Sequence, residues 1–563
     1  MATQPLQVRD WQRGVADSPH VGFGLMKAVD TESFPGAVRM QEKAFATAFH
    51  TTYSKTFTVD AATEIFTVGN IPSANNLVAV TVSSATTLPA GMLTGSTYYI
   101  ARIDGSTGYF ALNLDEAIRG TTTLNITDAG TGVHTLTSVD PGTINHIVKD
   151  PKTNYHYAHD SNGKVWVECA DITANRFYLL NHESNPSNAS GKGLVPFVTG
   201  SAETSFLFVF RNAAIDAIPI SGTSSVRIPV WSNSWQTLNT ASGSASSHHA
   251  IVGQDNIVYF CDDRYVGSLK EASGSTLVLA TANTYVYNNR ALDMPQGEIN
   301  NWLEELGSDL LVGGDTYNKI YPWDRTAASF NLPITVSENS IKKLKNIGNE
   351  VYIFAGVKGN IYKTQGSYAR HFKKLPWSVV NPNGATGTSI VNWGGVGLQG
   401  DALIFGVEAV NNTDNSGLYK LYPDGRLFFE RPITTGSTNV TAIYTDGNDE
   451  VFVGYASGAD YLGTTYAANA SLVQSELYKV ADKIGKATYS NLELQVRNPN
   501  TLTGSAVVSY RTDTGTAFTQ LTNFTIEQGT TSVRADIGLI DIENIQLQIE
   551  PTGYTEIYEV RLT

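Results

Sequence analysis

From about His146 to Val480 the chain repeats one short theme, and this repetition limits the folds open to it more than any other feature. In each copy an apolar strand runs into a Gly/Asn/Asp turn and then into a second run ending in aromatic or aliphatic residues. The clearest copies are Tyr155-His156-Tyr157 to Val165-Trp166-Val167 across Ser161-Asn162-Gly163, Ile257-Val258-Tyr259-Phe260 to Val266, and Val351-Tyr352-Ile353-Phe354 to Ile361-Tyr362 across Lys358-Gly359-Asn360. The first apolar residues of the successive strands are Tyr155, Phe206, Ile257, Leu310, Val351, Ala402 and Val451, at intervals of 51, 51, 53, 41, 51 and 49 residues. A unit of about 40 to 50 residues built of short strands and tight turns is the signature of a propeller blade, because one four-stranded sheet cannot bury both faces until neighbours stack around a ring. A parallel β-helix would have a shorter period, and separate sandwiches a longer one with linkers between them. The expectation is an all-β chain with a seven-bladed β-propeller over residues 138–482, its period least regular at the 41-residue interval.

Composition agrees with many short, turned strands. Of 563 residues 50 are Gly and 27 Tyr, while charged residues make up only 16%, against the usual quarter or so. The net charge of −14 and a pI near 5.2 give a field that repels phosphate backbones, so no nucleic-acid partner is expected. Cys169 and Cys261 fall in non-adjacent repeats, which speaks against a disulfide, and no cysteine spacing suits a metal. The start, Met-Ala-Thr-Gln-Pro-Leu-Gln, has neither a basic n-region nor an apolar h-region, and the most apolar run, Phe206 to Phe210, is far too short to span a bilayer. Cytosolic synthesis without a signal peptide and without membrane insertion is the expectation.

The repeats are flanked by other material. Residues 1 to about 50, with Trp11, the Gly14 to Gly24 segment and Phe34-Pro35-Gly36, show turn signals and no helical periodicity. Such an extended arm would either supply the strand that closes the ring or pair with a neighbouring subunit. Residues 51–137 carry their own alternating strands at Phe57-Thr58-Val59, Leu77 to Val80 and Tyr98 to Ile100, and form a small inserted β-domain. Residues 483–563 alternate with period two at Leu492, Leu494 and Val496 and again at Ile545, Leu547 and Ile549, the pattern of a β-sandwich or jelly roll.

Three of these stretches carry a resemblance. Leu88-Pro89-Ala90-Gly91, Gly95 to Ile100, Tyr109 to Leu112 and the closing Asp128 to Leu136 resemble a module that recurs in bacteriophage tail and virion proteins, with Met92-Leu93 departing from the leucine more common after that turn. The segment Gly14 to Gly24 followed by Pro35-Gly36 looks like the start of phage structural proteins of the same layout. Leu492 to Val496, Ser509 to Asp513 and Gln546-Leu547-Gln548 resemble the C-terminal domain attached to propellers in phage tail proteins. The resemblance implies a structural tail component of the virion, present in several copies around the tail axis. Its partners would be other phage tail proteins and copies of itself, with a host surface glycan as a candidate ligand. The competing class is a propeller lectin or an enzyme acting on host polysaccharide, and fold alone does not decide between them.

No catalytic, cofactor-binding or metal-binding group stands out, so neither an enzymatic activity nor a cofactor is expected. The Ser-x-Asp-x-Gly-x-Thr-Trp turn of sialidase-like enzymes is absent, since Ser232-Asn233-Ser234-Trp235 lacks both Asp and Gly. A glycosidase needs two carboxylates a few ångströms apart; Asp262-Asp263 reads instead as a pair of solvated turn acids. His248-His249 reads as part of a polar loop, with no third ligand at a defensible spacing for a metal. His156 and His159 fall on different faces of one strand and read as structural.

One charge feature rises above this background. Lys342, Lys343, Lys345, Lys358, Lys363, Arg370, Lys373 and Lys374 face a single acid, Glu350, in a window of net +7 within a chain of −14. A solvated outer strand is the plain reading. The sharper one is a contact patch for an acidic partner surface, which opposite-sign docking would register.

Overall fold

The repeated theme folds as four-stranded antiparallel meanders. In this computed structural model residues 6–8, 25–27, 29–30, 39–40 and 45–563 are described, except 123, 169–172, 181–191, 201–203, 221–230, 240–247, 377–389, 411–415, 432–438, 447–449, 463–471, 475–477, 480–485, 500–502, 513–516 and 554. The fold is all-β and propeller-like. The successive meanders open on the strands Ile144–Lys149, Gly193–Val198, Ala250–Val252, Asn300–Leu306, Ile341–Ile347, Val391–Gln399 and Ala442–Thr445. Each opening strand packs against those of the sheets before and after it, and Ala442–Thr445 returns to Ile144–Lys149, so the sheets close a ring with these strands innermost.

Position in the sheet decides how each strand reads. The second strands His156–Asp160, Ser205–Phe210, Val258–Asp262 and Val451–Tyr455 are buried at every residue, and those of the other sheets at all but one. Neighbouring sheets cover both of their faces, so a continuous apolar run is favoured over alternation. The outermost strand of the third sheet, Tyr285–Asp293, has one face free and alternates between exposed and half-buried residues up to Ala291, with Leu292 buried. Tyr155 and Ile257, expected as the first apolar residues of their strands, each sit one residue ahead of them and are only half-buried.

The last sheet is completed from the other end of the chain. Phe45–Thr47 pairs antiparallel with Gly458–Leu462, with Thr47 opposite Asp460. The next residues lock this strand to the first sheet: Ala48 N–H donates to Ala459 O, and its own carbonyl accepts from Phe177 N–H. The Phe49 ring lies 5.1 Å from Trp166 and 5.3 Å from Phe177. In the sixth sheet, Gly394 permits a close approach that any side chain would block, because a Cβ there would stand 1.6 Å from Val440 O.

Between the closing strand and the first sheet the chain makes a closed six-stranded barrel, in the order Thr107–Ala111, Ile65–Val68, Ser54–Asp60, His134–Ser138, Ala79–Ser84, Thr97–Arg102. Its core of Phe57, Phe66, Val80, Ile100, Phe110 and Leu136 is its own. A short helix, Leu114–Arg119, is capped by Asn113, which accepts from Glu116 N–H, and ends at Gly120 with φ 64°. Tyr99 reaches from the barrel to donate its hydroxyl to Leu179 O of the first sheet at 2.8 Å.

The C-terminal strands form two further sheets around Leu492, Val508, Leu547, Ile549 and Val560. One is edged by Leu6–Val8, paired with Glu556–Leu562. The other runs through Leu472–Gln474 and Leu25–Lys27 into the outermost strand of the sixth sheet, giving one ten-stranded sheet across both regions.

Candidate functional site at the ring axis

The innermost strands share a local irregularity. In the first, fourth and fifth sheets the pairing shifts by one residue between Ile144 and His146, Asn300 and Trp302, and Ile341 and Lys343. Such a bulge re-aims the residue that follows it. In register these residues lie opposite His159, Gly313 and Phe354. His249 takes the corresponding place in the third sheet, its carbonyl accepting from Cys261 N–H. The matching places in the sixth and last sheets hold Gly395 and Ala442, which send nothing beyond a Cβ toward the axis.

Three of the four larger side chains touch, and His146 lies within electrostatic reach of Lys343 and His249. His249 stacks on Trp302 with ring centroids 3.5 Å apart, and the Lys343 ammonium lies 4.0 Å from the Trp302 ring centroid, a cation–π contact. Burial, and then the charge of Lys343, depress His146 to about 4, although the two residues belong to sheets that do not adjoin. Only the axis connects them. Burial likewise lowers Lys343 to about 8, with Lys342 adding to the effect, and holds His249 well below its ordinary value. All four residues are half-buried, each keeping some surface open while protein surrounds it. His146 Nε2 lies 2.9 Å from Lys192 O, and His249 Nδ1 accepts from Leu303 N–H at 3.1 Å.

The eight basic residues singled out by charge do not form one face. Lys342, Lys343 and Lys345 are on the innermost strand of the fifth sheet, whereas Arg370, Lys373 and Lys374 are on its outermost strand, with two strands between. Lys342 pairs with Asp315 at 2.8 Å and Lys345 with Glu304 at 3.2 Å. Lys363 and Arg370 share Glu350, at 2.7 and 2.8 Å. Lys358, Arg370 and Lys374 are exposed. Strand pairing has spread a dense stretch of sequence across the whole width of a sheet.

Other expectations need correction. Asp262 is no solvated turn acid: it ends strand Val258–Asp262 with no exposed surface and accepts from Asn239 N–H and Nδ2 at 2.7 and 2.8 Å. Burial raises its pKa. Only Asp263 occupies the turn, at φ 57°. His248 is fully buried, not part of a polar loop, with Nδ1 2.7 Å from Cys261 O. His156 and His159 do lie on different faces, His156 beside Glu168 and Glu450 and His159 beside Gly193 O and His146. Cys261 is a buried free thiol, and Cys169 lies outside the described residues. Among the described residues no group of three or more His, Cys, Asp or Glu is arranged to hold a metal ion, and no helix is long and apolar enough to cross a membrane.

Strand starts drift from repeat to repeat, so an alignment on them hides that Lys343 and His249, each notable in the sequence for another reason, share a level with His146 and Trp302. The tight turns are a better anchor: Gly307, Gly348 and Gly400 have φ of 59°, 59° and 58°, and the residue five places before each is Trp302, Lys343 and Gly395.

No protein-family model and no curated protein matches the chain. Among solved structures it is similar to the β-propeller domain of Cps50 (Swd1) from Myceliophteria thermophila, at 11% identity and a TM-score of 0.39 over 58% of this chain and 98% of that one. It is also similar to the WD40 β-propeller domain of Doa1, at 10% identity and a TM-score of 0.38 over 59% and 95%, and to the WD40 repeats of RRP9, at 10% and 0.41 over 57% and 94%.

Proposed function

We propose that this chain is a structural component of a bacteriophage tail, a seven-bladed propeller with an inserted β-barrel and a C-terminal sandwich, assembled in several copies around the tail axis. The reading rests on the resemblance of the barrel and C-terminal segments to phage tail modules. The observation that carries it beyond sequence is the way the N-terminal strands are shared out. Leu6–Val8 serves the C-terminal sheets, Leu25–Lys27 joins them to the sixth sheet, and Phe45–Thr47 completes the last sheet. Load applied to any one part is thereby passed through backbone hydrogen bonds to the others, which suits a mechanical connector.

The test is to purify virions, identify this chain in them by mass spectrometry, and locate it by electron microscopy. Density for the ring and barrel repeated around the tail axis is the expected result. Absence of the chain from intact particles, or its location in the head, overturns the reading.

A further inference from the structure

The axial cluster has an unusual balance of hydrogen-bonding groups. The Lys343 ammonium has no carboxylate partner among the described residues, while its neighbours Lys342 and Lys345 are both paired. The indole N–H of Trp302 is buried and meets no acceptor. His249 Nδ1 accepts from a backbone N–H, so in the neutral ring the proton is on Nε2 and that nitrogen is a donor. The nearby acids are already engaged, Asp315 by Ser340 and Lys342, and Glu304 by Lys345 and Asn346 N–H. One ammonium and two N–H donors are thus gathered around the Trp302 ring with no carboxylate of their own among the described residues, inside a chain of net charge −14.

We propose that the ring axis at the level of Lys343 binds a small oxyanion, a phosphate, sulfate or carboxylate group, with Lys343 Nζ, His249 Nε2–H and Trp302 Nε1–H as its donors. An oxyanion supplies the acceptors this cluster lacks and neutralises its ammonium. Partial enclosure by protein strengthens a charge-assisted hydrogen bond relative to one in open water. Glycine and alanine on the sixth and last sheets add no competing side chain at this level.

The test is thermal unfolding of the full chain at neutral pH in increasing phosphate, against chloride at matched ionic strength. A ligand of the folded state raises the midpoint with the logarithm of its concentration once that exceeds the Kd. The expected result is such a rise in the wild type and in Lys342→Met, and its loss in Lys343→Met. Parallel titrations with sulfate and acetate sort the ligand: a response to phosphate and sulfate alone assigns a tetrahedral oxyanion, and a response to acetate as well assigns a carboxylate. Calorimetric titration of the wild type guards against a Lys343→Met chain that does not fold, because affinity should fall as pH rises through the Lys343 pKa of about 8. A midpoint that moves equally in chloride, a phosphate response that survives in folded Lys343→Met, or an affinity unchanged above that pH overturns the proposal.

Discussion

His146, His159 and His249 are held neutral by burial, with the cations Lys343 and Arg211 and one another adding to the effect. The unfolded chain takes up protons at these positions near the ordinary value of 6.5, and the folded chain does not, so acid favours unfolding. Their contribution to stability is complete above 6.5 and declines as pH falls toward about 4. Each histidine costs roughly 1.4 kcal/mol per pH unit within that window. Urea midpoints should drop steeply between neutral pH and about pH 5, and His159→Gln should flatten that limb by about one proton relative to the wild type. An unchanged slope would mean that His159 protonates freely in the fold. None of this was legible in the sequence. His248-His249 looks like a polar dipeptide in a serine-rich stretch, and only the pairing of His249 with the position of Cys261 carries it to the axis.

At the scale of strands, the second strand of each repeat was the most readable part, because enclosure by two neighbouring sheets writes itself as an unbroken apolar run such as SFLFVF. The weakly patterned pieces were the borrowed ones. Phe45–Thr47 is only three residues long and carries no signal of its own; its role depends on a partner at the far end of the chain. Lys342 to Lys374 misled for the opposite reason, since linear charge density says nothing about which strand of a meander each lysine occupies. The closing strand gives a sharp test through Phe49, which is 6% exposed between Trp166 and Phe177. Phe49→Ala should cost about 3 to 5 kcal/mol, as for other large-to-small changes in a packed core. A loss below about 1 kcal/mol in urea unfolding would mean that the closing strand holds without this ring.

At the scale of the whole chain, the three regions differ in what they can do alone. The barrel is closed, so none of its strands offers a free edge, and it has its own core. A fragment of residues 51–139 should melt cooperatively. The C-terminal sheets borrow Leu6–Val8 at one edge and Leu472–Gln474 at another, so a fragment of residues 483–563 should expose the flank of Glu556–Leu562 and associate in solution. Light scattering compares the two directly. A monomeric, cooperatively folded C-terminal fragment would show that the borrowed strands are dispensable there. The sequence marked both flanking regions by alternation, yet barrel closure and the sharing of strands depend on long-range pairing that no local pattern encodes.

The pairing of Thr47 with Asp460 also sets a schedule for the chain as it leaves the ribosome. The closing strand emerges early and must wait for roughly 400 residues to follow before its partner exists, about 20 to 80 seconds at ordinary synthesis rates of about 5 to 20 residues per second. Leu6–Val8 waits longer still, for the final strand Glu556–Leu562. The barrel needs nothing downstream of Ser138 and is free to fold first, leaving a nascent protein with one finished knob and a growing, unclosed fan of sheets. For most of its synthesis each new sheet has one uncovered face, so this protein's exposure to premature association is greatest before translation ends.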